Sequence, residues 1–143
     1  MGFSTKTEYG LVALIELAEV HSGGGVLQAG EIARRQGIPE RYLEQMLTSL
    51  RRSGLLRSLR GPRGGYQLTR SPETITVAEV LACLEGPLSS EGEQQRSSSA
   101  FHVLTALAQK VEQARARVLA ATTLQQLLEE RNARARPALI YHI

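Results

Sequence analysis

Two helix-stopping glycines and a glycine-rich turn leave residues 31–70 little freedom in how they fold. The segment is EIARRQGIPERYLEQMLTSLRRSGLLRSLRGPRGGYQLTR. Gly37 ends a short helix of about Ala29 to Gln36, which buries Ile32 and Ala33, and a left-handed residue is expected there. Pro39 stands in the first turn of the next helix, where no amide proton is needed. That helix runs to about Ser53 and stops at Gly54. Its stripe of Leu43, Met46, Leu47 and Leu50 must pack inward. Leu55–Leu59 and Tyr66–Leu68 then form two short strands, joined by the turn Gly61-Pro62-Arg63-Gly64-Gly65. Helix, tight turn, helix and hairpin in this order make a helix-turn-helix with a wing.

The charge of this segment is lopsided. Nine arginines (34, 35, 41, 51, 52, 57, 60, 63 and 70) face three glutamates (31, 40 and 44), a balance of +6. The whole chain carries only +3, so the remainder is acidic by three charges. A positive footprint confined to one module suits a polyanion, because neutralising phosphates drives sequence-independent affinity. With the apolar stripe inward, the second helix presents Glu40, Arg41, Glu44, Gln45, Thr48 and Arg52 outward, long polar side chains suited to base edges and phosphates. Double-stranded DNA is therefore the expected partner. Arg34 and Arg35 precede the turn; at least one is expected on a phosphate, the other facing solvent. Pro39, Arg63 and Gly64 are counted with the same surface.

The rest of the chain is helical. Thr5 to His21 repeats Leu11, Leu14, Ile15 and Ala18 at helical spacing, with Thr5 and Glu8 placed as a capping box and three glycines, Gly23 to Gly25, as the stop. His21 at that end reads as a helix-terminus cation. Thr76-Val-Ala-Glu79 opens another capped helix bearing Val77, Val80, Leu81 and Leu84, closed by Gly86-Pro87. Ser89–Ser99 is rich in Ser, Glu and Gln and is expected to be a mobile loop, a place where an effector or partner protein could act. From Phe101, Leu104, Leu107, Val111, Ala114, Val118 and Ala121 recur at spacings of three and four, a heptad seam. Either this helix lies on its own core or it forms a homodimer seam, and the second is expected of so small a DNA-binding head. Thr122 or Thr123 caps a last short helix, Leu124 to Arg131, before a poorly ordered tail. The divisions are thus a DNA-binding unit at 1–86, a loop at 87–99, a dimerisation helix with its short follower at 100–131, and a tail at 132–143. The fold class is mostly α with a small β-wing.

Aromatic residues are only 4% and Trp is absent, which leaves little surface for stacking unpaired bases and weighs against a single-strand RNA binder. No apolar run approaches the roughly 18 residues of a membrane span, and no signal pattern opens the chain, so a cytoplasmic protein is expected. The chain holds no Asp, no nucleophile–base pair and no phosphate loop leading into a helix, so no enzyme is expected.

The segments TKTEYGL (5–11), EIARRQGIPERYLEQ (31–45), LRRSGLL (50–56), RGPRGGYQL (60–68), ITVAEVL (75–81) and TLQQL (123–127) resemble the bacterial IscR family. Its members, of the IscR, NsrR and CymR types, include iron–sulfur, nitric-oxide and cysteine-responsive winged-helix repressors. The resemblance implies a homodimer with crossing C-terminal helices and a helix-turn-helix in each major groove of a palindrome. It places Arg41, Tyr42, Glu44 and Gln45 where the family's recognition helix meets DNA, and Arg60, Gly61 and Pro62 where its wing reaches the minor groove. Arg60 suits a narrow electronegative groove, and Gly64 and Gly65 are expected to let the backbone approach it closely. Tyr42 is either a phosphate donor or an aromatic sealing the helix pair. Glu44 is either a solvated acid or an acceptor for a cytosine amino group.

The chain departs from cluster-binding members in the loop LSSEGEQQRSSSAFH (88–102), where three cysteines are replaced by none. The single Cys83 lies in a helix beside its apolar stripe and reads as a packed, inert thiol. Glu8, Cys83 and His102 are the only residues from which the resemblance could assemble an unusual metal or cluster site, and neither metal nor cofactor is expected. The leading expectation is a dimeric DNA-binding transcriptional regulator, a repressor without an iron–sulfur cluster. The alternatives are a winged-helix protein-interaction module, or a regulator controlled by a partner protein or by such an unusual site.

Overall fold

The computed structural model describes residues 2–86 and 97–135. Helix α1 (Thr5–His21) is followed by α2 (Ala29–Gln36), α3 (Glu40–Arg52), strands β1 (Leu56–Leu59) and β2 (Gly65–Leu68), a 3₁₀ turn at Pro72–Thr74, and helices α4 (Val77–Glu85), α5 (Ser99–Ala121) and α6 (Leu124–Ala135). The class is the expected one, mostly helical with a two-stranded antiparallel wing. No described helix is long and apolar enough to cross a membrane.

The first helix is the centre of the packing. It is capped by Ser4 rather than Thr5: Ser4 has extended backbone and its hydroxyl accepts the Thr7 amide, whereas Thr5 is already helical. The buried set is also wider than the single stripe of Leu11, Leu14, Ile15 and Ala18. Thr7, Gly10, Ala13, Glu16 and Leu17 are buried as well, while Ile15 is only partly so. A helix enclosed on most sides needs little amphipathicity. Helices α2, α3, α4 and α6 and strand β2 all pack against α1.

Between α2 and α3, Gly37 takes the left-handed conformation, φ 65°, that a side chain would strain. The amides of Gly37 and Ile38 both donate to the Ala33 carbonyl, and Ile38 plugs the turn from inside. Pro39 is the extended residue just before α3 rather than a member of its first turn, because its carbonyl, not its ring nitrogen, serves the helix by accepting from Tyr42 and Leu43. Leu43, Met46, Leu47 and Leu50 are buried as the period requires.

The wing strands pair Leu56 with Leu68 through Leu59 with Gly65. Leu27 adds a third edge, exchanging two backbone hydrogen bonds with Tyr66 at 2.7 and 3.0 Å. Thr76 caps α4 as expected, accepting from the Glu79 amide at 3.2 Å. Ser98 caps α5, so Ser99, assigned to the loop from sequence, is the first helical residue; most of the expected loop and Pro87 lie outside the described residues. Helix α5 packs against α4 and buries none of its own residues, which removes the reading that its seam lies on this chain's core.

The last helix departs furthest from expectation. Thr123 and Gln126 form a reciprocal capping box, each side chain accepting the other's amide. From there α6 runs to Ala135 instead of Arg131, and an Arg134–Glu130 ion pair spans its last turn. Residues 132–135 and Arg134 are therefore helix, not tail, because nothing in ERNARAR breaks a helix before Pro137; residues 136–143 lie outside the described part. Leu124 and Leu128 are buried in the same core as α1, so α6 belongs to the head rather than to a separate dimerisation unit. Two backbone bonds stitch this return, Val77 to the Thr122 carbonyl and Leu124 to the Ile75 carbonyl. Leu124→Ala should accordingly destabilise the protein by about 2–5 kcal/mol in urea denaturation, the usual result of emptying a buried leucine site. An unchanged midpoint would separate α6 from the cooperative core.

Candidate nucleic-acid interface

The outward face of α3 is an open groove lined by Arg41, Glu44, Gln45, Thr48, Ser49 and Arg52. The residues between its inward stripe and the turn leave these side chains no core to enter, since α3 is held from behind by α1, α2 and α4. Tyr42 is 48% exposed, so it does not seal the helix pair and its hydroxyl is open to a partner. Ser49 was not singled out from sequence, although its spacing of four from Gln45 puts it on the same face. Its hydroxyl donates to the Gln45 carbonyl at 3.1 Å.

On the wing, Arg57, Ser58, Leu59, Arg60, Gly61, Pro62 and Arg63 are all exposed. Arg57 and Leu59 extend the surface beyond the turn itself. Gly64 and Gly65 have a different role from the expected one. Gly64 is buried, and a Cβ there would stand 2.1 Å from the Leu59 carbonyl oxygen; at Gly65 it would stand 2.5 Å from that of Leu27. These glycines let the wing's own backbone close on itself and on Leu27, so Gly64 leaves the set of DNA-facing candidates.

The arginines separate into two groups. Arg34, Arg41, Arg51, Arg52, Arg57, Arg60 and Arg63 are exposed and make no ion pair among the described residues. Arg35 and Arg70 are engaged instead. Arg35 bridges Glu16 at 3.2 Å and Glu31 at 2.6 Å, and Arg70 pairs with Glu79. Of the two arginines before the turn, Arg34 is thus the one open to a phosphate, and Arg35 is the structural one. Seven guanidinium groups without an ion pair among the described residues stand on α2, α3 and the wing, a concentration of positive charge of the kind that draws a polyanion.

The seam of α5 faces away from the head. Leu104, Leu107, Val111 and Val118 are 56–63% exposed, and Ala114 and Ala121 are exposed beside them. Val103, at 68%, joins the same face and was missed because it falls outside the heptad. The face turned to α4 is another one, with Glu112, Arg115, Ala116 and Leu119 opposite Ala78, Leu81 and Ala82. An exposed apolar strip of this length is the kind of surface that marks an association site.

Glu8 and Cys83 are partly buried, Cys83 against the apolar core, and His102 is exposed on α5. Among the described residues no three His, Cys, Asp or Glu side chains come together as a metal site.

Comparison with known proteins bears on this surface. Residues 3–130 match the family model Rrf2, described as an iron-dependent transcriptional regulator. The chain is 45% identical over 89 residues to the transcriptional regulator CymR of Bacillus subtilis, covering 62% of this chain and 64% of that one. It is 44% identical over 86 residues to IscR of Cereibacter sphaeroides, covering 59% and 56%. The alignments therefore span between about half and two thirds of these relatives' own length. Among solved structures, CymR of B. subtilis, titled the global cysteine regulator, superposes with a TM-score of 0.78 at 37% identity over 91% of this chain and 98% of that one. IscR of T. potens gives 0.75 at 37% identity, covering 91% and 88%. The relatives so named are regulators, not enzymes.

The iron of the family description requires donors to hold it. Iron–sulfur clusters are held by several thiolates, whereas this chain has one cysteine, half-buried in α4, and residues 87–96 contain neither Cys nor His. The residues present do not fit a cluster. The close contact beneath the wing can be checked directly: Gly64→Ala should cost about 1–3 kcal/mol, as inserting a methyl into packed backbone does. Denaturation at the wild-type midpoint would show that the turn opens freely.

Proposed function

The chain belongs to the Rrf2 family of transcriptional regulators, and on that premise we propose that it is a sequence-specific DNA-binding regulator acting as a homodimer on a palindromic operator. The observation that carries this reading is the open polar groove of α3, with Arg41 and Arg52 in its lining and five further arginines on α2, α3 and the wing, all seven without an ion pair among the described residues. Long polar side chains at Arg41, Gln45, Thr48 and Arg52 can meet base edges and phosphates in a major groove. Arg60, with Arg57 and Arg63 beside it, can reach phosphates or a narrow minor groove. The exposed seam of α5 supplies the two-fold contact, placing two α3 helices about one helical turn of DNA apart, roughly 34–36 Å. Occupying an operator in this way blocks transcription, so the regulator is a repressor, working in the cytoplasm where its DNA lies. It does so without an iron–sulfur cluster. Its signal enters elsewhere, through an effector or partner protein at the joint of head and arm.

Dimerisation is tested on the seam. Leu107→Glu with Val111→Glu sets like charges across the interface and should convert the dimer to monomers by light scattering, while an unchanged mass would move the contact away from α5.

The DNA face is tested by sequencing the DNA that the purified protein captures, then repeating the selection with two variants. Arg60→Ala should weaken binding to all sequences and reduce the salt slope by about one. An acid facing a polyanion is unfavourable everywhere except where it accepts a hydrogen bond. Glu44→Ala should therefore retain or raise average affinity and lose about 1–3 kcal/mol of discrimination at one base pair. An unaltered preferred sequence would make Glu44 a bystander. Failure of the wild-type protein to enrich any sequence would count against the function itself.

A further inference from the structure

One carboxylate sits in the angle between α1, α2 and α6. Glu16 is 8% exposed; its oxygens accept hydrogen bonds from α2 and form an ion pair with a guanidinium of α6. From α2, Arg35 Nη1 donates to Oε2 at 3.2 Å and Gln36 Nε2 donates to Oε1 at 2.6 Å. From α6, Arg131 Nη1 stands 3.7 Å from Oε1. Each arginine is gripped by a second acid: Arg35 Nη2 donates to Glu31 at 2.6 Å and Arg131 Nη2 to Glu19 at 2.7 Å. The charges alternate across the junction as Glu31, Arg35, Glu16, Arg131 and Glu19.

A buried carboxylate is tolerated only while its partners stay in place, so Glu16 constrains both helices at once. Guanidinium forks shared between two acids also fix orientation, which a single ammonium contact would not. Helix α2 leads through the Gly37 turn into α3, and their mutual packing passes any constraint on α2 to the DNA face. Helix α6 continues from α5 across Thr122 and Thr123, whose flanking backbone is bonded to the head at Ile75 and Val77. The same carboxylate therefore anchors the helix that delivers the groove and the helix that continues the arm.

We propose that Glu16 is a positioning residue for DNA binding, fixing the orientation of the helix-turn-helix relative to the α5 arm through Arg35 and Arg131. The inference rests on the reading of α5 as a dimer seam. In such a dimer the head-to-arm angle sets the separation of the two α3 helices, and a palindrome of fixed spacing accepts only a narrow range. A single half-site makes no such demand. Glu16, Arg35 and Arg131 are thus the route by which a change in the arm reaches the DNA face.

The test compares full-length wild-type protein, Glu16→Gln, Arg131→Gln and the double variant on two DNAs, the palindrome the wild type selects and one half of it. Arg131 is 36% exposed in its side chain and lies on α6, outside the groove of α3, so its variant remains folded even if Glu16→Gln does not. Each single substitution should lower affinity for the palindrome about tenfold, with the double variant no weaker, since the pair acts as one unit. Half-site affinity and salt dependence should stay at wild-type values. Wild-type affinity of Arg131→Gln for the palindrome overturns the proposal. So does an equal loss on the half-site, which would reduce the cluster to support of the head alone. A wild-type protein that recovers no palindromic DNA would instead overturn the dimeric reading, and this inference with it.

Discussion

Everything in this molecule depends on the burial of α1 from several sides at once. Ala13, Leu14 and Leu17 have no exposed surface, and α2, α3, α4 and α6 all pack on the helix that carries them. Even the polar positions are used. Thr7 is fully buried and donates to Glu85, tying the start of α1 to the end of α4, and Glu16 holds α2 and α6. A helix surrounded in this way cannot shift without emptying contacts on the opposite side, because interiors are close-packed. The short helices α2 and α3, marginal on their own at 8 and 13 residues, gain their stability from it.

This frame lets the residues proposed to face DNA contribute nothing to the core. Arg41, Gln45 and Arg52 project from a helix whose inner stripe is complete without them, and the wing arginines stand on a hairpin secured by Leu27 and Gly64. Charges left unpaired in this way repel one another, and the fold carries that cost. A neutralising partner would come from outside, and the phosphates of DNA are the partner proposed. Where an arginine near the same surface is needed for the frame, as at Arg35 and Arg70, a glutamate from another element occupies it.

The arm follows the opposite logic. Helix α5 buries none of its residues in its own chain, leaving Val103, Leu104, Leu107, Val111 and Val118 in solvent. Its C-terminal half is nevertheless fixed, by Glu112, Arg115, Ala116 and Leu119 facing α4 and by the return of α6 onto α1. The head-to-arm geometry is thus decided by a few contacts at one joint, the natural place for a signal to act. The iron of the family description finds no matching donor set, with Cys83 as the only thiol of the chain.

Much of this could be read directly from the chain. The existence and order of the helices, the Thr76 cap, the Gly37 turn, the inward stripe of α3 and the wing were legible because they are set by residues within four positions of each other, where period and capping act. The exact ends of α1, α5 and α6 were not. The excess of arginine between 31 and 70 was legible as well, and so was the absence of cysteines from the loop at 88–102. What the sequence could not show was which arginines are free. Arg35 meets Glu16 across 19 positions and Arg131 meets Glu19 across 112, and no local pattern marks pairs so distant. The same holds for Gly64, whose neighbour is a carbonyl brought there by the hairpin's closure, and for α6, whose ordinary amphipathic pattern says nothing of the helix it returns to. Local physics wrote the elements; only packing decided which charges face the partner and which hold the frame.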